Sequence, residues 1–173
     1  MNQVKIYILL WILVWMSFSC SAHKKTLHEQ HIPPEQTQSD SQSSFNEQSN
    51  KRKIIAQYAT NSLGLPYQWG GHSPETGLDC SGLIVYTHQM ADVIVPRTAI
   101  AQFENGRIIT IQNLQIADLV FFKDLKDNKN YHVGIYMGDG RFIHAPGRGR
   151  TITYEFLNSP YFLNHYIGAR SYL

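Results

Sequence analysis

Cysteine is almost missing from this sequence: among 173 residues only Cys20 and Cys80 occur, so no disulfide framework holds the chain together. Charge is also sparse, at 16% of residues, and the net value of +2 requires no nucleic-acid partner. No internal repeat is evident. The one long apolar run, Ile6 to Phe18, has thirteen residues, too few to cross a bilayer comfortably as a permanent helix. The length excludes a large multi-domain machine. What is present is 43% hydrophobic residues, unevenly spread over three zones.

The first zone, residues 1–22, places Lys5 before the apolar run and small residues after it, the layout of a secretory signal. Cys20, followed by Ser21 and Ala22, resembles the lipid-attachment cysteine of bacterial lipoproteins, with cleavage between residues 19 and 20. Ser17 and Phe18 depart from that pattern. Two further readings are a cut after Ala22 that leaves a soluble secreted protein, and an uncleaved anchor. The second zone, residues 23–50, is rich in Gln, Ser, His and Glu with almost no large hydrophobe, and its composition predicts a disordered tether. His23, His28 and His31 lie within it without the fixed geometry a metal site needs.

The third zone, residues 51–173, carries the patterning of a folded domain. Ile54, Ile55, Tyr58, Ala59 and Ser62 recur at helical spacing, with Ser49 or Asn50 as a cap and Gly64 and Pro66 as the stop. A glycine-containing loop, Gly64 to Asp79, leads into a second helix that begins at Asp79 or Cys80. Strands are predicted at 107–111, 119–123, 132–137, 141–145, 151–155 and 166–170. Helices first and strands after argue for an α+β fold with a largely antiparallel sheet.

Once Cys20 is lipidated or removed, Cys80 is the single thiol. It reads either as a small buried hydrophobe or as a nucleophile. The setting Asp79-Cys80-Ser81-Gly82-Leu83 puts it at a helix N-terminus, where the dipole and free N–H groups are expected to lower the thiol pKa. Alternation along Tyr131-His132-Val133-Gly134-Ile135-Tyr136-Met137 places His132, Gly134 and Tyr136 on one face. Gly138-Asp139-Gly140 predicts a turn, and Arg141 to Ala145 the returning strand. With a three-residue loop, Met137 opposes Arg141, Gly134 opposes His144, and His132 lies diagonally beside His144. A Cys80 thiol above that face would find His132 as its base and His144 as the group orienting it. Structural roles for either histidine, and a Cys80/His132/His144 zinc site, are the competing readings. His72 and His165 read as surface or packing residues, and His88 as packing beneath the site. Asp79 reads as a helix cap.

Six further stretches carry a resemblance: Pro66-Tyr67-Gln68-Trp69-Gly70-Gly71, Gly77 to Leu83, Pro96-Arg97-Thr98-Ala99 with Gln102, Asp118 to Phe122, His132 to Tyr136, and Phe142 to Pro146. In this order they resemble the NlpC/P60 family of cell-wall cysteine peptidases, over about Lys51 to Leu173. The resemblance implies a papain-like α+β core with N-terminal helices packed on the sheet, and no cofactor or metal. It implies Cys80 as nucleophile, His132 as base, His144 as the third polar residue, and Tyr67 beside the oxyanion. The implied activity is peptidoglycan endopeptidase, cutting stem-peptide bonds adjoining D-glutamate or diaminopimelate through a thioester. The implied place is the bacterial envelope, periplasmic and lipid-anchored or secreted.

Stem-peptide carboxylates point to Arg97, Arg148 and Arg150 as candidate contacts, with Arg97 also read as site support. Trp69 reads mainly as packing around the glycine loop, with a place in the groove wall as its second reading. A papain-like acyltransferase and a non-catalytic envelope-binding lipoprotein are the alternatives.

Overall fold

The computed structural model describes residues 34–123 and 131–173, and its compact unit spans Gln38–Leu173. The expected signal segment and lipidation site, Cys20, and also His23, His28 and His31, lie outside the described residues. Helix α1 runs Pro34–Asn61. Its C-terminal half is the expected helix: Ile55 and Ala59 are fully buried, and Gly64, at φ +81°, turns the chain so that its N–H donates to Ile152 O at 2.9 Å.

The N-terminal half differs from the expected tether, since residues 34–50 are helical. No proline or glycine interrupts 35–63, so turns nucleated by the packed half extend outward. The Glu47–Lys51 pair at 2.7 Å supports the extension. Residues 41–48 nevertheless remain exposed and join no core.

A two-strand hairpin, β1 (His72–Ser73) with β2 (Gly77–Leu78), precedes helix α2, Cys80–Gln89. Helix α3, Ala99–Asn105, follows, capped by Thr98. The main sheet comprises β3 (Arg107–Ile109), β4 (Leu119–Lys123), β5 (Tyr131–Gly138), β6 (Arg141–His144), β7 (Thr153–Phe156) and β8 (Tyr166–Ser171). Helix α4, Pro160–His165, lies between the last two strands. The strand order is β3-β8-β4-β5-β6-β7, every neighbouring pair antiparallel. The α+β expectation holds. Among the described residues no helix is long and apolar enough to cross a membrane.

The sheet is covered on both faces, which explains the unbroken apolar run Leu119-Val120-Phe121-Phe122. Leu119 and Phe121 join Val133, Ile135 and Ile143 under α1 and α2, against Ile55, Leu83 and Ile84. Val120 and Phe122 pack on the other face with Phe142, Leu157 and Phe162 of α4. At about 25 cal/mol per Å² of apolar surface removed from water, these two clusters supply the main drive to fold.

The β5–β6 turn departs from the expected three-residue loop. Gly138 pairs with Arg141 and Tyr136 with Phe142, so Met137 is an extra, bulged residue. Asp139 and Gly140 form the two-residue connection, both at positive φ, as tight hairpins with right-handed strand twist require. The shorter loop and the bulge cancel: Ile135 pairs with Ile143, and continuing that register sets Gly134 opposite His144 as expected.

Candidate active site

Cys80 is the first residue of α2, and Asp79 is its N-cap. Asp79 Oδ1 accepts from Gly82 N–H at 2.6 Å and from Ser81 Oγ at 3.1 Å, while Oδ2 accepts from Gly70 N–H at 3.0 Å. Arg97 closes the same carboxylate bidentately, Nη2 to Oδ2 at 2.7 Å and Nη1 to Oδ1 at 3.1 Å, and also donates to Ser81 Oγ at 2.9 Å. A Cβ at Gly82 would lie 2.0 Å from Gly71 O, so only glycine lets this helix start press against the glycine loop. The position of the thiol is thus fixed by backbone contact and by one carboxylate. Both ends of the Arg97 guanidinium are engaged by the protein.

His132 of β5 and His144 of β6 meet as the hairpin register predicts: His132 Nε2 and His144 Nδ1 are 2.7 Å apart. Phe122 packs on His132, while Phe142 and Phe162 hold the His144 ring edge-on. With Nε2 committed to His144, Nδ1 is the nitrogen of His132 left to exchange a proton. For Nδ1 to accept one, Nε2–H must donate to His144 Nδ1, which puts the His144 proton on its own buried, unpartnered Nε2. The Val133 N–H, beside His132, favours the charged form of the Cys80 thiol.

Burial, reinforced by the Asp79 carboxylate, pushes the Cys80 thiol up to about 11, against the pull of N–H groups from Val133, Ser81 and Cys80 itself. Burial pulls His132 down to about 4. It pulls His144 down to about 3, aided by His132 and Arg150. The helix start was expected to lower the thiol pKa, but desolvation outweighs it. Burial therefore favours the neutral thiol and the neutral imidazole. Burial raises the Asp79 carboxyl, but the hydrogen bonds from Arg97 and Gly82 outweigh it and hold the group below its usual range.

Tyr67 joins this site. Burial raises its hydroxyl pKa, as do nearby Cys80 and Asp79, while Arg148 opposes them. Tyr67, Cys80, His132 and His144 line one groove of about 1070 Å³. Trp69 also lines it and is 70% exposed, so of its two readings the structure supports the groove wall over packing. Lys123, Glu155, Tyr161 and His165 line the groove as well. No local pattern marks those four, because the folded topology alone brings them there. His165, stacked on Tyr161 at 4.4 Å, therefore lies nearer the site than its sequence setting implied.

His72 is exposed and His88 is buried within α2, as expected. Gln102 is a supporting residue that sequence reasoning quoted without a role. It is fully buried and donates from Nε2 to Pro96 O at 2.7 Å and to Ser81 O at 3.2 Å. Among the described residues no group of three or more His, Cys, Asp or Glu side chains is arranged to hold a metal ion.

Several known proteins are similar to this chain. The murein DD-endopeptidase MepH of Escherichia coli K12 is 38% identical over 121 residues, 68% of this chain and 45% of the relative. The gamma-D-glutamyl-L-lysine dipeptidyl-peptidase of Bacillus cereus is 39% identical over 112 residues, 64% of this chain and 33% of the relative. The chain thus spans less than half the length of these curated relatives. Among solved structures, an NLP/P60-family protein from Staphylococcus aureus, described as similar to lipoprotein, superposes with a TM-score of 0.64 at 36% identity, covering 72% of this chain and 42% of that one. The NlpC/p60 domain of the peptidoglycan hydrolase SagA gives 0.59 at 30% identity, covering 69% of this chain and 97% of that domain. The NlpC/P60 family pattern itself matches residues 64–171, the stretch that holds the thiol, both histidines and Tyr67, and the chain belongs to the NlpC/P60 family.

Proposed function

We propose that this protein is a cysteine endopeptidase that hydrolyses stem-peptide amide bonds of peptidoglycan. The observation that carries the reading is the His132–His144 contact at 2.7 Å, in the same groove as a thiol fixed at a helix start. The names of the relatives support the substrate class: one is a murein DD-endopeptidase, another a gamma-D-glutamyl-L-lysine dipeptidyl-peptidase.

In this reading the reaction starts from the neutral pair. As the Cys80 sulfur attacks the peptide carbonyl, its proton passes to His132 Nδ1, and the imidazolium is held by its Nε2–H bond to His144. The Cys80 N–H and the Tyr67 hydroxyl stabilise the oxyanion. Collapse breaks the C–N bond, and His132 returns the proton to the leaving amine. Water, deprotonated by His132, then hydrolyses the thioester and restores the thiol. His144 acts by fixing the tautomer, and Arg97 by holding Asp79 and with it the helix start.

Residues 1–22 direct export in this reading. Lipidation at Cys20 would place the domain on a membrane of the bacterial envelope. Incubating the mature protein with defined peptidoglycan fragments, beside a folded Cys80→Ala control, tests the activity by mass spectrometry. New fragments produced only by the intact thiol are expected, and their masses locate the bond. No cleavage of crosslinked or uncrosslinked stem peptides would overturn the proposal.

A further inference from the structure

Two carboxylates line the groove, and only one of them is answered. Asp79 is closed by Arg97 at 2.7 Å. Glu155 is half-buried in the lining, yet it enters no ion pair or hydrogen bond among the described residues. Lys123, a lining cation, lies instead over the Tyr131 ring, 4.8 Å from its centre.

Strand register fixes where Glu155 stands. It pairs with Phe142 across β6 and β7, and directly opposed residues share a sheet face with Cβ atoms about 5 Å apart. Phe142 and His144, two residues apart on β6, share that face too, their rings 5.2 Å apart. Phe162 of α4 covers both, 4.9 Å from Phe142 and 5.3 Å from His144. Tyr161 packs on Phe162 at 5.2 Å, stacks on His165, and leaves 61% of its surface open in the groove. Glu155 and Tyr161 are therefore each one ring removed from His144. Lys123 is on β4, with the two histidine strands β5 and β6 between it and β7, so the groove runs from a cation to an anion over about 14 Å of sheet.

We propose that Glu155, together with the Tyr161 ring, forms an ammonium subsite that selects stem peptides whose diamino acid keeps a free side-chain amine. An ammonium donates charge-assisted hydrogen bonds to a carboxylate, and an open aromatic face attracts the same cation. Acylating the amine removes its charge and with it both attractions. Lys123, at the other end, repels the amine and attracts the carboxylates of the stem peptide. The two ends together set the direction in which the peptide lies over Cys80. This inference rests on the peptidase reading.

The test uses the full mature chain and matched diaminopimelate stem peptides, monomeric and crosslinked, in which the side-chain amine outside any crosslink is free, acetylated or succinylated. The wild type is expected to cut the free-amine peptide with a kcat/KM about tenfold above the acetylated one, mainly through KM, and the anionic succinylated one more slowly still. Glu155→Gln should erase the preference by slowing the free-amine peptide. Glu155→Lys should invert it in favour of the succinylated peptide, a reversal that a merely structural role for Glu155 would not produce. Tyr161→Ala should shrink the preference by a smaller factor. Equal cutting of free and acetylated peptides by the wild type, or an undiminished preference in Glu155→Gln, overturns the subsite alone. Failure of the wild type to cut any peptide, with Cys80 still open to alkylation, overturns the peptidase reading as well.

Discussion

Asp79 does two opposed things to Cys80. Its carboxylate caps the helix that carries the thiol, and its charge raises the thiol pKa. Arg97, bidentate on that carboxylate, offsets the charge while preserving the cap. Removing the guanidinium should therefore leave Cys80 facing an uncompensated anion. Arg97→Met is expected to slow alkylation of Cys80 by iodoacetamide at pH 8 by about tenfold, one pKa unit. Adding Asp79→Asn, which keeps an oxygen for Gly82 N–H, should restore most of the rate. Wild-type alkylation by Arg97→Met alone would show that the pair only builds the loop. At the second histidine, His144→Ala should lower kcat by about a hundredfold with KM little changed, because it frees the His132 tautomer rather than removing the base. Steady-state kinetics on a cleaved stem peptide separate the two parameters, and a loss carried by KM would contradict the orienting role.

At the scale of elements, legibility followed the range of the forces involved. The strand 119–123 could be read because its run is apolar on both faces, and β5 and β6 because period-two alternation and a Gly-Asp-Gly turn fix their faces. That is why the meeting of His132 and His144 was legible in the sequence, the bulge at Met137 offsetting the shorter loop. Helices α3 and α4, seven and six residues long, are too short to display a helical period, and only Thr98 and Ser159-Pro160 signal their starts. The first half of α1 was illegible for another reason: its composition contributes no burial, and its helicity is borrowed from the anchored half. Deleting residues up to Ser49 should therefore leave the urea midpoint almost unchanged. Arg52→Ala, by contrast, removes the partner of Asp118, a carboxylate only 1% exposed and paired at 2.9 Å. Breaking that pair should cost about 3 kcal/mol in the same measurement. A large loss from the deletion and none from Arg52→Ala would reverse the assignment of what anchors the helix.

Taken as a whole, the molecule has among its described residues three histidines that burial holds below their ordinary range: His88 at about 4, His132 at about 4 and His144 at about 3. His88 is fully buried within α2, its Nδ1 3.0 Å from Ile84 O and its Nε2 unpartnered. Unfolding releases each to an ordinary pKa of about 6.5, so between pH 6.5 and 4 the unfolded chain binds more protons than the native one. Stability must then fall as pH drops through that window, by up to about 1.4 kcal/mol per pH unit for each histidine, and stay level in these groups above it. The base of the proposed reaction, His132, remains neutral to about pH 4. The fold should therefore fail on the acid side before the base is protonated. Acid loss of turnover is expected to track unfolding followed by far-ultraviolet circular dichroism, rather than a single-site titration of kcat/KM. His88→Leu, which removes one of the three protons without touching the groove, should make the urea midpoint less steep in pH below 6.5 and carry activity to lower pH. If His88→Leu keeps the wild-type slope, or if turnover vanishes while the protein is still folded, the acid limit belongs to the reacting groups and not to the core.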